Sequence, residues 1–205
     1  LDASAHHAAA KLAVVEQRQG NVAEAIHRLE HLVEDAPKPE HLIALGDVLE
    51  HAGRDDRASA AYDTAERIML VDLEKDDLAH SRALVELWLQ RGVETDHALA
   101  LALRELEEVR RDAGTCSTAA WALHAAGRHD EALPLIVEAM RRAPANATIM
   151  WRAGVIHDAV GRTHRARLLV ERALALNPHL PRDMLARADR MLGQPRTPVG
   201  AEVSE

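Results

Sequence analysis

The 205-residue chain holds 39 Ala but no Phe, three Trp and one Tyr, and its net charge is −8. Strands favour aromatic and β-branched residues, so this composition excludes a sandwich, a barrel or a reader that stacks nucleic-acid bases on aromatics. The acidic total disfavours non-specific nucleic-acid binding, no apolar run reaches the ~18 residues of a membrane span, and one cysteine makes neither a disulfide framework nor a Cys-based zinc site. No charged-then-apolar signal segment is visible. The expectation is a cytoplasmic chain that starts at Leu1 because it is a processed or excised part of something longer.

Five glycines punctuate the chain at Gly20, Gly53, Gly92, Gly127 and Gly161, spaced 33, 39, 35 and 34 apart. Helical apolar spacing precedes and follows each, and a glycine there supplies the left-handed conformation that ends one helix and turns the chain back. Each repeat is therefore a helical hairpin. In the first, Leu12, Ala13 and Val15 precede Gly20, Ala25, Ile26, Leu29 and Leu32 follow it, and Pro37 closes the unit.

The second hairpin surrounds Gly53, with Gly46 before and Ala58 after. Its second helix is longer, or a loop interrupts, because about five extra residues fall in Leu70 to Asp77. The third, at Gly92, puts His97 at the site held elsewhere by alanine unless one inserted residue brings Ala98 there. The fourth, at Gly127, carries Ala120, Ala132 and a terminal Pro144, and Pro134 is expected to bend its second helix. The fifth, at Gly161, carries Gly154, Ala166 and Pro178. Mostly small residues seven before each glycine (Ala13, Gly46, Val85, Ala120, Gly154) let two helix backbones approach, so the core works without phenylalanine.

With these residues in register, the chain resembles the tetratricopeptide repeat (TPR) family of ~34-residue helix-turn-helix units. Leu45-Gly46 with Gly53, Ala58, Tyr62 and Ala65 carry the likeness, as do Gly127, Ala132, Ala139 and Pro144, and Ala153-Gly154 with Gly161, Ala166, Ala173 and Pro178. The stretch Ala119 to Leu123, with Ala126-Gly127-Arg128, is also similar to largely uncharacterised bacterial members. The resemblance implies an all-α, right-handed superhelical solenoid of five TPR hairpins over residues 6–180. A capping helix is expected over 181–192, amphipathic through Leu185, Ala188, Met191 and Leu192, and a flexible tail over 193–205.

In this family the first helices line a concave groove that holds a peptide or protein segment. Carried over by register, the lining is Lys11, Val14 and Arg18, then Asp47, Glu50 and His51, then Arg82 and Glu86, then Ser117, Trp121 and His124, then Trp151 and Arg152. No Asn stands among them, so the family's clamp on a terminal carboxylate is not expected. Trp121, His124, Trp151 and Arg152 form a candidate aromatic and cationic anchor patch, since exposed aromatics beside Arg are common binding anchors. The competing reading is that both Trp pack against neighbouring helices. Tyr62 and Trp88 fall at core registers.

The run His27-Arg28-Leu29-Glu30-His31 matches the inverted zinc-peptidase pattern, but that chemistry needs a third ligand and a closed pocket. The register turns Leu29 inward and leaves the two His outward or marginal, so a solvated face is expected, with no metal, no cofactor and no catalysis. Cys116 is expected as an inert core thiol. Charge is uneven: residues 1–140 hold 14 Lys and Arg against 27 Asp and Glu, whereas residues 141–190 hold 10 against 4. Such a run is ordinarily a solvated face; the sharper reading is a basic end suited to an acidic partner or to head-to-tail self-contact. The first helix, Ala-rich and without a polar cap, is expected to stack on upstream repeats or a second copy, which makes a homo-oligomer the alternative to a groove that binds a partner.

Overall fold

The computed structural model describes residues 3–193, and the expected tail from residue 194 onward lies outside them. The described residues form eleven α-helices and one π-helical turn. They group into two compact units, one up to Arg111 and the other from Asp112.

In the first unit, α1 (Ala3–Arg18) pairs with α2 (Val22–Asp35), α3 (Pro39–His51) with α4 (Asp55–Glu74), and α5 (Ser81–Arg91) with α6 (Thr95–Arg104). The hairpin of α1 and α2 is tied by Arg28, whose Nη2 donates to Glu16 Oε1 at 2.6 Å and whose Nε donates to Oε2 at 2.9 Å. That guanidinium holds the Glu16 carboxyl below the usual carboxylate range. Leu29 is buried as the register expects, and of the two placements open to the histidines, His27 and His31 take the exposed one.

Small residues sit where the hairpins close. Ala13, Ala25, Val85 and Ala98 are fully buried, and Gly46 lies against the ring of Tyr62. Tyr62 donates its hydroxyl to Asp47 Oδ1 at 2.8 Å. Burial, with the carboxylates of Asp47 and Glu50, pushes that hydroxyl upward in pKa. Trp88 is likewise core, its indole Nε1 donating to Glu66 Oε1 at 2.6 Å.

The extra residues of the second hairpin are mostly helix: α4 runs 20 residues, then turns at Asp76, whose φ is 61°. In the third hairpin Ala98, not His97, takes the alanine site. Glu94 at φ 50° absorbs the inserted residue, and His97 projects outward to pair with its carboxylate at 2.6 Å. The π-helical turn Glu105–Val109 follows α6. It buries Glu105, and Arg110 donates to Oε1 of that carboxylate through Nε at 3.1 Å and Nη2 at 2.8 Å. A buried carboxylate needs such a partner, because stranding it without one costs several kcal/mol.

The second unit opens with a capping box. Asp112 accepts from the Thr115 amide at 2.9 Å while the Thr115 hydroxyl accepts from the Asp112 amide at 2.9 Å, which satisfies two of the amides a helix start leaves open. From there α7 (Ala113–Ala125) pairs with α8 (His129–Arg142), and α9 (Ala147–Ala159) with α10 (Thr163–Leu176). Helix α8 continues through Pro134. Cys116 is fully buried, in keeping with a core thiol.

Helix α9 is covered on nearly every side, buried from Ile149 to His157. Its cover includes α11 (Arg182–Leu192), which contributes Met184, Leu185, Ala188, Met191 and Leu192 to the core around Trp151, Val155 and Val170. Each Leu- or Met-sized side chain fully buried there contributes ~1.5–3 kcal/mol of hydrophobic stabilisation before entropy is counted.

Candidate functional site

Ser117, Trp121 and His124 lie on one face of α7, since spacings of four and three residues bring side chains above one another on a helix. The face is joined by Trp151 and Arg152 from α9 and by Arg187 from α11. The Trp121 ring stacks on His124 with centroids 5.0 Å apart and planes 18° from parallel. It also meets Trp151 at 5.5 Å and carries the Arg152 guanidinium 5.5 Å from its centroid. Arg152 Nη1 donates to the Ser117 hydroxyl at 3.3 Å. All five sequence-predicted residues of the second unit therefore come together.

They do not all reach the surface. Trp151 is 2% exposed, and its Nε1 donates to the Met184 carbonyl at 3.1 Å, so the expectation that it anchors a ligand is corrected: it is the pillar on which α11 docks. Ser117 at 2% and Arg152 at 7% exposure are likewise supports beneath the surface. Trp121 and His124 are half-buried and form the accessible part. Arg82 and Glu86 belong to the first unit, half-buried one turn apart on α5.

Electrostatics define the patch further. Burial first, then the nearby His129 and Arg187, push the His124 imidazole down to about 4. It is neutral near pH 7, so its ring offers an apolar face to whatever lies on Trp121. Its Nδ1 is buried with no hydrogen-bond partner among the described residues. The cationic character comes from Arg152 and Arg187. Burial and the neighbouring Arg190 lower the Arg187 guanidinium, with Asp158 acting in the opposite sense. No hydrogen bond or ion pair among the described residues engages Arg187.

Arg187 was missed by the sequence reading, although a signal existed. Gly193 adopts φ 71°, like Gly20, Gly53, Gly92, Gly127 and Gly161, and ends α11 as they end the first helix of their hairpins. Continuing the glycine series to Gly193 places Arg187 six residues before its glycine, the offset of Trp121 before Gly127. The same offset marks the same face.

Among the described residues no group of three or more His, Cys, Asp or Glu is arranged to hold a metal ion, and no helix is long and apolar enough to cross a membrane.

Helical hairpins with small residues at most of their crossings define a helical-repeat protein of the solenoid class. A tetratricopeptide repeat profile matches residues 10–68 and 117–188, more than half of the chain, and the protein belongs to that family. A thermophilic TPR protein of Thermus thermophilus is similar in fold at 19% identity, covering 91% of this chain and 98% of its own, with a TM-score of 0.62. A tetratricopeptide repeat protein of Parabacteroides merdae matches at 15% identity, covering 92% and 84% respectively, with a TM-score of 0.54. A search of curated proteins finds no match. The TPR fold is a scaffold for protein–protein interaction, and proteins are accordingly the class of partner it implies.

Proposed function

We propose that the face shared by α7, α9 and α11 holds a peptide or protein segment that carries an acidic side chain beside an aromatic or aliphatic one. The observation behind this reading is the half-exposed Trp121–His124 stack lying beside Arg187, a partly desolvated guanidinium with no carboxylate in hydrogen-bond reach among the described residues. An apolar side chain gains by covering the indole, and a carboxylate gains a charge-assisted hydrogen bond from Arg187. Residues 141–190, net +6, add longer-range attraction for an acidic segment.

A random peptide library displayed on phage tests this directly. Selected peptides should be enriched in Asp or Glu next to an apolar residue. Their affinity for Trp121→Ala should fall by at least about tenfold, as for an interface hot spot, with the far-ultraviolet circular dichroism unchanged. Equal affinity for the wild type and Trp121→Ala would remove the patch from consideration.

A second reading rests on a separate observation: Leu12, Val14 and Val15 of α1 are 44%, 39% and 44% exposed. Such neighbouring apolar side chains on one helix mark a surface that self-associates through the first hairpin. Sedimentation equilibrium should then give a mass that rises with concentration in the wild type and stays monomeric in Leu12→Glu. A monomeric wild type across the accessible range sinks this reading.

A further inference from the structure

We propose that His27 and His31 form a binding site for a late divalent transition-metal ion, of the Ni²⁺, Cu²⁺ or Zn²⁺ class. The two imidazoles stand one turn apart on α2, and their Nε2 atoms approach to 3.3 Å. With metal–nitrogen bonds of ~2.0–2.1 Å, two nitrogens at that separation subtend ~107° at a shared ion, close to the tetrahedral angle. The pair therefore already has the spacing of a chelate.

The second nitrogen of one ring is also provided for. Nδ1 of His31 lies 3.4 Å from Glu34 Oε2. A proton on Nδ1 facing that carboxylate leaves the Nε2 lone pair directed toward His27, which is how carboxylates orient metal-binding histidines in general. Helix α2 supplies all three groups at positions i, i+4 and i+7, so no rearrangement of the chain is needed to assemble them. Leu29, fully packed on the inner face, fixes the helix rotation that turns the pair outward.

The pair opens onto a cleft of about 700 Å³ between α1 and α2, also lined by His6, Glu24 and Asp35. Since no third ligand is arranged around the two histidines among the described residues, water fills the remaining coordination positions. Borderline imidazole nitrogens choose nickel, copper and zinc over magnesium and calcium, which prefer oxygen. The proposal is for ion binding alone: among the described residues the pair has no third His, Cys, Asp or Glu arranged with it, which the peptidase pattern would require.

Isothermal titration of the tag-free chain with NiCl₂, ZnCl₂ and MgCl₂ tests the assignment. One nickel or zinc ion per chain should bind, reversed by EDTA, with no heat from magnesium. His27→Ala and His31→Ala, both at exposed positions, should each weaken binding by at least about tenfold, and Glu34→Gln by a smaller factor, as for an orienting partner. Circular dichroism of each variant establishes that the fold persists. Undiminished binding in either histidine variant, or no binding by the wild type, overturns the proposal.

Discussion

Replacing Trp151 by alanine is expected to destabilise the second unit by ~3–5 kcal/mol, the range for truncating a buried tryptophan. The side chain is 2% exposed, meets Trp121 of α7 and the Met184 carbonyl of α11, and belongs to one buried core with Val170 and Ala173 of α10 and Ala188 of α11. Removing it opens a cavity that stiff neighbours fill poorly, and it removes the hydrogen bond at 3.1 Å by which Nε1 ties α9 to the Met184 carbonyl of α11. Helix α11 should suffer most. Its Met184, Leu185, Ala188, Met191 and Leu192 pack in the core that holds this indole, and an eleven-residue helix is marginal without tertiary contacts. Since stacked repeats need not unfold as one cooperative step, the readout is amide hydrogen exchange rather than a single melting midpoint. Amides of α11 should exchange at least about a hundredfold faster in Trp151→Ala, while Trp121→Ala leaves them nearly unchanged. Equal acceleration by the two substitutions would contradict the division into a buried pillar and an accessible ledge.

That division is also the place where the sequence was least informative. The glycine spacing and the small residues seven positions earlier were enough to give the hairpins, their order and the burial of Tyr62, Trp88 and Cys116, because each depends on local backbone geometry and helix periodicity. The face of α7 was legible for the same reason: Ser117, Trp121 and His124 share a helical stripe. Whether Trp151 faces a partner or another helix depends on what lies across from it. Here that is α11, and periodicity along α9 carries no information about a helix some thirty residues away. Arg187 was overlooked because α11 looked like a solvating cap, whose charges are ordinarily just solvated. The glycine at its end gives it the residue offsets of a first helix as well. The spacing of His27 and His31 was legible, but the 3.3 Å approach of their nitrogens depends on side-chain rotamers that no sequence pattern specifies.

Gly46→Ala should destabilise the first unit by ~1–3 kcal/mol, as overpacking of a core does, although helix propensity alone favours alanine by ~1 kcal/mol. The sign is decided by Tyr62. A Cβ on residue 46 would lie 2.3 Å from Cε1 of that ring and under 3 Å from two further ring carbons, inside any real contact distance. The ring has little room to retreat, being 4% exposed and tied by its hydroxyl to Asp47 at 2.8 Å. Moving it would also loosen that bond, which is worth ~1.5–3 kcal/mol when the acceptor is a carboxylate. If the clash is with the ring, removing the ring must relieve it. In a Tyr62→Leu background, Gly46→Ala should therefore cost little or even stabilise, and a double-mutant cycle read from hydrogen exchange of the α3 and α4 amides should show a coupling of at least about 1 kcal/mol. Gly154 offers the contrast. A Cβ there would meet Val170 Cγ2 at 2.6 Å and also the Ala166 carbonyl oxygen at 3.0 Å. A backbone atom cannot be removed by substitution, so Val170→Ala should rescue Gly154→Ala less completely than Tyr62→Leu rescues Gly46→Ala. Additive effects of Gly46→Ala and Tyr62→Leu would mean that the ring is not what forbids a side chain at residue 46.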